Sequence, residues 1–97
     1  MRVIAKRALR EFWQSHPDAR GPLEAWHREA MKADWRSPQA IKAQYRNASI
    51  VKGKRVAFNI AGNKYRLVVK INYDYGIAYV RFVGTHTEYD GVDVEQV

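Results

Sequence analysis

Cysteine is absent from this 97-residue chain. That excludes disulfide frameworks, thiolate-built zinc sites and cysteine nucleophiles, and it fits a reducing compartment. Long apolar runs are also missing. Leu67-Val68-Val69 and Ile77-Ala78-Tyr79-Val80 fall far short of the roughly 20 residues that a membrane span needs. Lys6 and Arg7 interrupt any signal-peptide core near the N-terminus. The expectation is a cytoplasmic protein with no membrane partner. Histidines number only three, His16, His27 and His86, and no metal-ligand spacing connects them to carboxylates. Gly62-Asn63 makes neither a P-loop nor a dinucleotide fingerprint. No metal and no cofactor are expected.

The most informative scarcity is of negative charge. The net charge is +7, and between Trp35 and Tyr73 there is no Asp or Glu. That stretch holds Arg36, Lys42, Arg46, Lys52, Lys54, Arg55, Lys64, Arg66 and Lys70. Cations without interleaved counter-charges concentrate positive potential where phosphates can sit. The chain then turns acidic, with Asp74, Glu88, Asp90, Asp93 and Glu95 against the single Arg81, which reads as a structural ion-pair residue.

The hydrophobic pattern predicts an α+β domain spanning residues 1–97. Arg2-Val3-Ile4 reads as a short strand. Ala5, Leu9, Phe12 and Trp13 share one helical face up to about His16, and Pro17 ends that helix. Gly21-Pro22 opens a second helix with Pro22 at its first position; Trp26 lies on its apolar face, and Glu24 and Arg28 lie four apart on its wet side. Ser37-Pro38 caps a third, to about Tyr45. The period then changes to two. Val56, Phe58 and Ile60 alternate, as do Leu67, Val69 and Ile71, and a last strand runs from Ile77 to Val83. An N-terminal strand and two to three helices packed on a three- to four-stranded antiparallel sheet follow from these elements. Arg55, Asn59, Arg66, Lys70 and Asn72 fall on the face opposite the core, as a cationic surface.

Metal-ion nuclease chemistry gathers carboxylates, and the basic stretch has none. RNA cleavage by its own 2′-hydroxyl asks for less. It needs one proton removed, one donated and the phosphate charge stabilised. Arginine suits the last task through its permanently charged planar fork. Histidine suits the proton transfers because imidazole titrates near neutrality. His86, after Phe82-Val83-Gly84-Thr85 at the last strand's end, is the leading catalytic candidate; the plainer reading is an exposed strand-end histidine. Arg66 is the phosphate-binding candidate, and Tyr89 is a proton donor or base-stacking residue or else covers the sheet edge. Lys54, Arg55, Asn59, Lys64 and Lys70 are the candidate RNA-binding residues. Trp13, Trp26 and Trp35 read as packing residues, and His27 as structural.

Two segments carry a family resemblance. Phe58-Asn59-Ile60-Ala61-Gly62-Asn63-Lys64-Tyr65-Arg66-Leu67-Val68-Val69 resembles the central hairpin of HigB-type toxins, and Val80-Arg81-Phe82-Val83-Gly84-Thr85-His86-Thr87-Glu88-Tyr89-Asp90 resembles their C-terminal signature. The N-terminal pattern ending in Arg36-Ser37-Pro38 is similar as well. The resemblance implies a RelE-like fold and the toxin of a type II toxin–antitoxin system. It implies a ribosome-dependent mRNA interferase, neutralised by a cognate, HigA-like, DNA-binding antitoxin in a hetero-oligomer. It places a transition-state arginine at Arg66, a catalytic residue at His86 and, more loosely, a catalytic tyrosine at Tyr89. RelE uses lysines on the strand that matches Arg55–Ile60. Here Ala57 and Asn59 stand inside that strand, so Lys54, Arg55 or Asn59 would have to substitute. Two competing readings keep the same fold: a ParE-like gyrase inhibitor that cuts no RNA, and a non-catalytic module that binds RNA or an acidic protein.

Overall fold

The computed structural model describes all residues from Met1 to Val97. The element order is β1 (Arg2–Ile4), α1 (Lys6–Ser15), a 3-10 turn at Pro17–Ala19, α2 (Arg20–Lys32), α3 (Pro38–Gln44), β2 (Ser49–Val51), β3 (Arg55–Ile60), β4 (Tyr65–Asn72), β5 (Ile77–Thr85) and α4 (His86–Asp90). The five strands form one sheet in the order β1-β5-β4-β3-β2. The α+β reading therefore holds, with two differences in the sheet. It is mixed, because β1 runs parallel to β5. It also gains β2 at one edge, antiparallel to β3. Three residues are too few to show a period, so β2 is hidden in the sequence. Its hairpin turn is more visible, since Gly53 (φ 73°) and Lys54 (φ 60°) take the left-handed conformation that such turns need.

Helices α1–α3 cover one sheet face. Leu9, Leu23, Trp26, Trp35 and Ile41 meet Val56, Phe58, Leu67, Val69 and Ile71 in one hydrophobic core. Trp26, Trp35 and Tyr45 all pack their rings against Phe58, which uses the flat aromatic area that a small domain needs. Ser37 caps α3 by accepting from the Ala40 N–H, as its sequence predicts. Pro22 does not begin α2. The helix starts at Arg20, directly after the 3-10 turn, and Pro22 sits in the first turn, where a missing N–H costs nothing. Glu24 pairs with Arg20 at 2.9 Å rather than with Arg28. None of the helices is long and apolar enough to cross a membrane.

Alternation along β4 turns Tyr65, Leu67, Val69 and Ile71 into the core and Arg66, Val68, Lys70 and Asn72 towards the other face. On β5 the alternation breaks once. Val68 pairs with Phe82 and Val69 with Val80, which leaves Arg81 as the extra residue of a β-bulge. The second unforeseen element is α4, and its signal was present in the sequence as Thr85-His86-Thr87-Glu88, the spacing of a capping box.

Candidate active site

Arg66 lies on the middle strand β4, near its hairpin end, on the sheet face turned away from the core. Its cross-strand neighbours are Asn59 on β3 and Gly84 on β5. A Cβ at Gly84 would meet Phe82 Cζ at 2.6 Å and Glu88 Oε1 at 3.0 Å, so the missing side chain makes room for that ring and carboxylate. One guanidinium nitrogen of Arg66 donates to Asn59 Oδ1. Another donates to Ser49 Oγ at 3.2 Å. The guanidinium carbon lies 4.6 Å from the centroid of the Tyr89 ring, within cation–π range. Arg66 is only 8% exposed. All of these partners are neutral, no carboxylate pairs with it, and its Nε has no protein acceptor. A guanidinium keeps its charge even when buried. Held among neutral groups, it is a ready site for an anion.

His86 is placed by the start of α4. Thr85 Oγ1 accepts from the Glu88 N–H at 3.1 Å, and Glu88 Oε1 accepts from the Thr85 N–H at 2.8 Å. These reciprocal bonds fix the backbone from which the His86 side chain projects. The bond from the Thr85 N–H holds the Glu88 carboxyl below its ordinary value, and the Thr85 side chain and the charge of His16 act in the same direction. The half-buried His86 has its Nε2 shielded from solvent, without a protein partner. Tyr89, three residues on, shares its helix face, with ring centroids 6.4 Å apart.

Arg66 and His86 line one cleft of about 670 Å³, with Asn47, Ser49, Asn59 and Asn63 among its walls. No hydrophobic and no acidic residue lines it. An anionic group entering it meets one strong cation, several amide and hydroxyl groups, and an imidazole. Asn47, Ser49 and Asn63 were missed by sequence reasoning, because short polar residues outside a recognised strand carry no periodic signal.

The structure separates the remaining candidates. Tyr89 does not line the cleft and meets it only through its stack on the Arg66 guanidinium. Lys64 pairs with Asp18 at the hairpin end and lies 5.7 Å from the Tyr65 ring centroid. This ion pair holds the Asp18 carboxyl below its ordinary value, with the Tyr65 hydroxyl bond second in effect. Arg55 is buried, donating from Nε to the Val97 carbonyl at 2.7 Å and from Nη1 to the Gly53 carbonyl at 3.2 Å. Lys54 and Lys70 line a second basin, together with Arg81. Arg81 makes no ion pair; the bulge leaves it exposed, contrary to its reading as a structural ion-pair residue. His27 is buried as expected, and desolvation, aided by the charge of Lys6, pushes its imidazole down.

Fold and cleft together define a small α+β protein with an anion-accepting, histidine-bearing site on its open sheet face. Residues 19–92 match the family model for HigB_toxin, the RelE-like toxic component of a toxin-antitoxin system. The chain belongs to the HigB toxin family. It is 29% identical over 92 residues to the mRNA interferase toxin HigB of Escherichia coli (strain K12), covering 93% of this chain and 88% of that protein. An mRNA interferase HigB of Shigella flexneri matches to the same extent. A further mRNA interferase HigB, from Escherichia coli O6:H1, is 24% identical over 93% of this chain and 89% of its own length. Membership of a toxin-antitoxin family implies a cognate antitoxin partner.

Proposed function

We propose that this chain is an mRNA interferase, an endoribonuclease that cuts messenger RNA on the ribosome and so stops translation. The observation that carries the reading is Arg66, buried without a carboxylate partner in the same cleft as His86. The scissile phosphate sits against the Arg66 guanidinium, positioned by Asn59 and Ser49. The 2′-hydroxyl loses its proton and attacks phosphorus. A new O2′–P bond forms, the P–O5′ bond breaks, and the 5′-oxygen takes up a proton. The products are a 2′,3′-cyclic phosphate and a free 5′-hydroxyl. His86 and Tyr89 carry the two proton transfers, and Arg66 stabilises the charge gathering on the phosphoryl oxygens. Three neutral partners leave the full Arg66 charge available for that purpose.

The relatives named mRNA interferase support this reading for the chain as a whole. The cytoplasm, where ribosomes and messages are, is its place of action. The partner is a HigA-like, DNA-binding antitoxin, joined to the toxin in a hetero-oligomer that masks the face bearing Arg66. A complex that left this face open and still blocked toxicity would sink the masking idea.

The deciding experiment is induced expression of the wild type, Arg66→Ala and His86→Ala, with growth followed and mRNA 5′ ends mapped in the same cultures. Toxicity with new cuts inside reading frames, lost in either variant that still folds, is the expected result. Toxicity with intact mRNA would move the assignment to gyrase inhibition, and no toxicity would move it to a binding module.

A further inference from the structure

We infer that the basin bounded by Lys54, Lys70 and Arg81 is a second phosphate-binding site, which holds the backbone of single-stranded RNA away from the point of cleavage. The inference rests on the reading of the cleft as an RNA site. The basin has a volume of about 630 Å³ and lies on the same sheet face, with Tyr79 and Asn72 completing its polar lining. Arg66 and Lys70 are four residues apart on β4, about 13 Å at roughly 3.3 Å per residue. Between them this face is closed. Ala57 and Val68 are fully buried, and Arg55 is sealed by main-chain carbonyls. The surface thus offers two cationic depressions separated by a ridge.

Three observations separate the basin from an ordinary solvated patch. First, its three cations come from three different segments, and none of them is paired with a carboxylate. Second, two of them, Lys54 and Arg81, are aimed there by irregular backbone geometry, and Lys70 by the regular alternation of β4. The Lys54 backbone is held in the left-handed region, and its carbonyl accepts from the Ile71 N–H at 2.7 Å. Arg81 is the bulged residue of β5, and bulges re-aim side chains. Third, the aromatic ring of Tyr79 stands beside the cations. Cations that track a backbone next to a ring that can stack a base are what single-stranded nucleic acid binds. An acidic protein segment would find the cations but has no use for the ring.

The test uses the intact protein and a fluorescent RNA of about twelve nucleotides, 2′-O-methylated throughout so that it cannot be cut. Binding is followed by anisotropy over a salt series. Lys54→Asn, Lys70→Gln and Arg81→Gln are combined; Asn tolerates the left-handed backbone at position 54. Each lost phosphate contact flattens the slope of log affinity against log salt by about 0.7 for a single strand, so the triple variant should flatten it by about 2 and bind roughly tenfold more weakly at low salt. Its melting temperature should match the wild type, because the three side chains carry no structural bond. A folded triple variant with unchanged slope and affinity would overturn the inference, as would failure of the wild type to bind the probe. A variant that binds RNA normally but loses the antitoxin would overturn it in favour of a protein-docking basin. The reading of the cleft fails separately, by the absence of new mRNA ends when the wild type is expressed.

Discussion

The Tyr89 ring lies over the Arg66 guanidinium at 4.6 Å, which couples a short C-terminal helix to the central strand of the sheet. The stack does two things. It shields a charge that hydrogen bonds only to Asn59 and Ser49, and it brings the phenol hydroxyl into the surroundings of the phosphate that Arg66 would hold. A ring that only packs and a ring that also donates a proton are separable by removing the oxygen alone.

Tyr89→Phe keeps the stack and removes the hydroxyl. On the proposed mechanism it lowers single-turnover mRNA cleavage by about 10²-fold or more, with the melting temperature unchanged. Tyr89→Ala loses the stack as well and falls further. Cleavage by Tyr89→Phe within threefold of the wild type would leave the tyrosine a packing role only.

Asn59→Asp places a carboxylate where an amide now accepts from Arg66. The pair neutralises the cation from inside, so the scissile phosphate meets no net charge. Cleavage and RNA affinity should both fall by about 10²-fold or more, on the scale of losing a charge-stabilising donor. Folding stability should hold or rise, because Arg66 gains an opposite charge. Unfolding in urea, read beside a cleavage assay, separates the two effects. Retained cleavage would show that Arg66 does not bind the phosphate.

Gly84→Ala is small chemically but not sterically. Its Cβ would press on the Phe82 ring at 2.6 Å and on the Glu88 carboxylate at 3.0 Å. Phe82 or the capping box must give way, at a cost of about 1–3 kcal/mol. His86 starts the helix which that box holds, so activity should fall with stability. Thr85→Ala, which removes the cap without the clash, should cost about 1 kcal/mol. A Gly84→Ala protein with wild-type urea midpoint and activity would refute the crowding argument.

Much of this was legible in residues that repeat. The period-two runs on β3 and β4 assigned each side chain to a face, so Asn59, Arg66 and Lys70 were placed on the open side from sequence alone. His86 was singled out by chemistry and by its place after the last strand. What could not be read depends on partners far away in the chain. Arg55 has the same parity as Asn59, yet its guanidinium meets the carbonyl of Val97, 42 residues on. Lys64 turns to Asp18 across the hairpin end. Arg81 changes direction at a bulge that no alternation pattern announces. Ser49 reaches Arg66 only because a three-residue strand lies at the sheet edge.

His27 sets the acid side of the stability curve near neutrality. Burial favours its neutral form, so its folded pKa lies below the ordinary value of 6.5. The unfolded chain therefore takes up that proton first as the pH falls. Stability is full above 6.5 and declines below it, until the folded imidazole is also protonated. Asp18 and Glu88, whose carboxyls are likewise held low, add losses only below the ordinary carboxylate range. Urea unfolding between pH 7.5 and pH 5 should show the decline in the wild type and a flatter profile in His27→Gln. Equal slopes would mean that His27 takes up its proton alike in the folded and the unfolded chain.

Arg55→Ala gives a further separation, between a cation that binds RNA and a cation that binds the fold. Its two bonds to main-chain carbonyls are partly buried, and a charged donor's bond contributes about 1.5–3 kcal/mol. Its removal should lower stability by that order and loosen the segment ending at Val97, seen as faster amide exchange there. The salt slope of RNA binding should stay at the wild-type value, because a guanidinium occupied by carbonyls contacts no phosphate. Lys70→Gln should do the reverse, flattening the slope by about 0.7 with no change in stability. If Arg55→Ala also flattened the slope, the Val97 carbonyl would have to yield its place to a phosphate when RNA binds, and Arg55 would join the two basins into one continuous track.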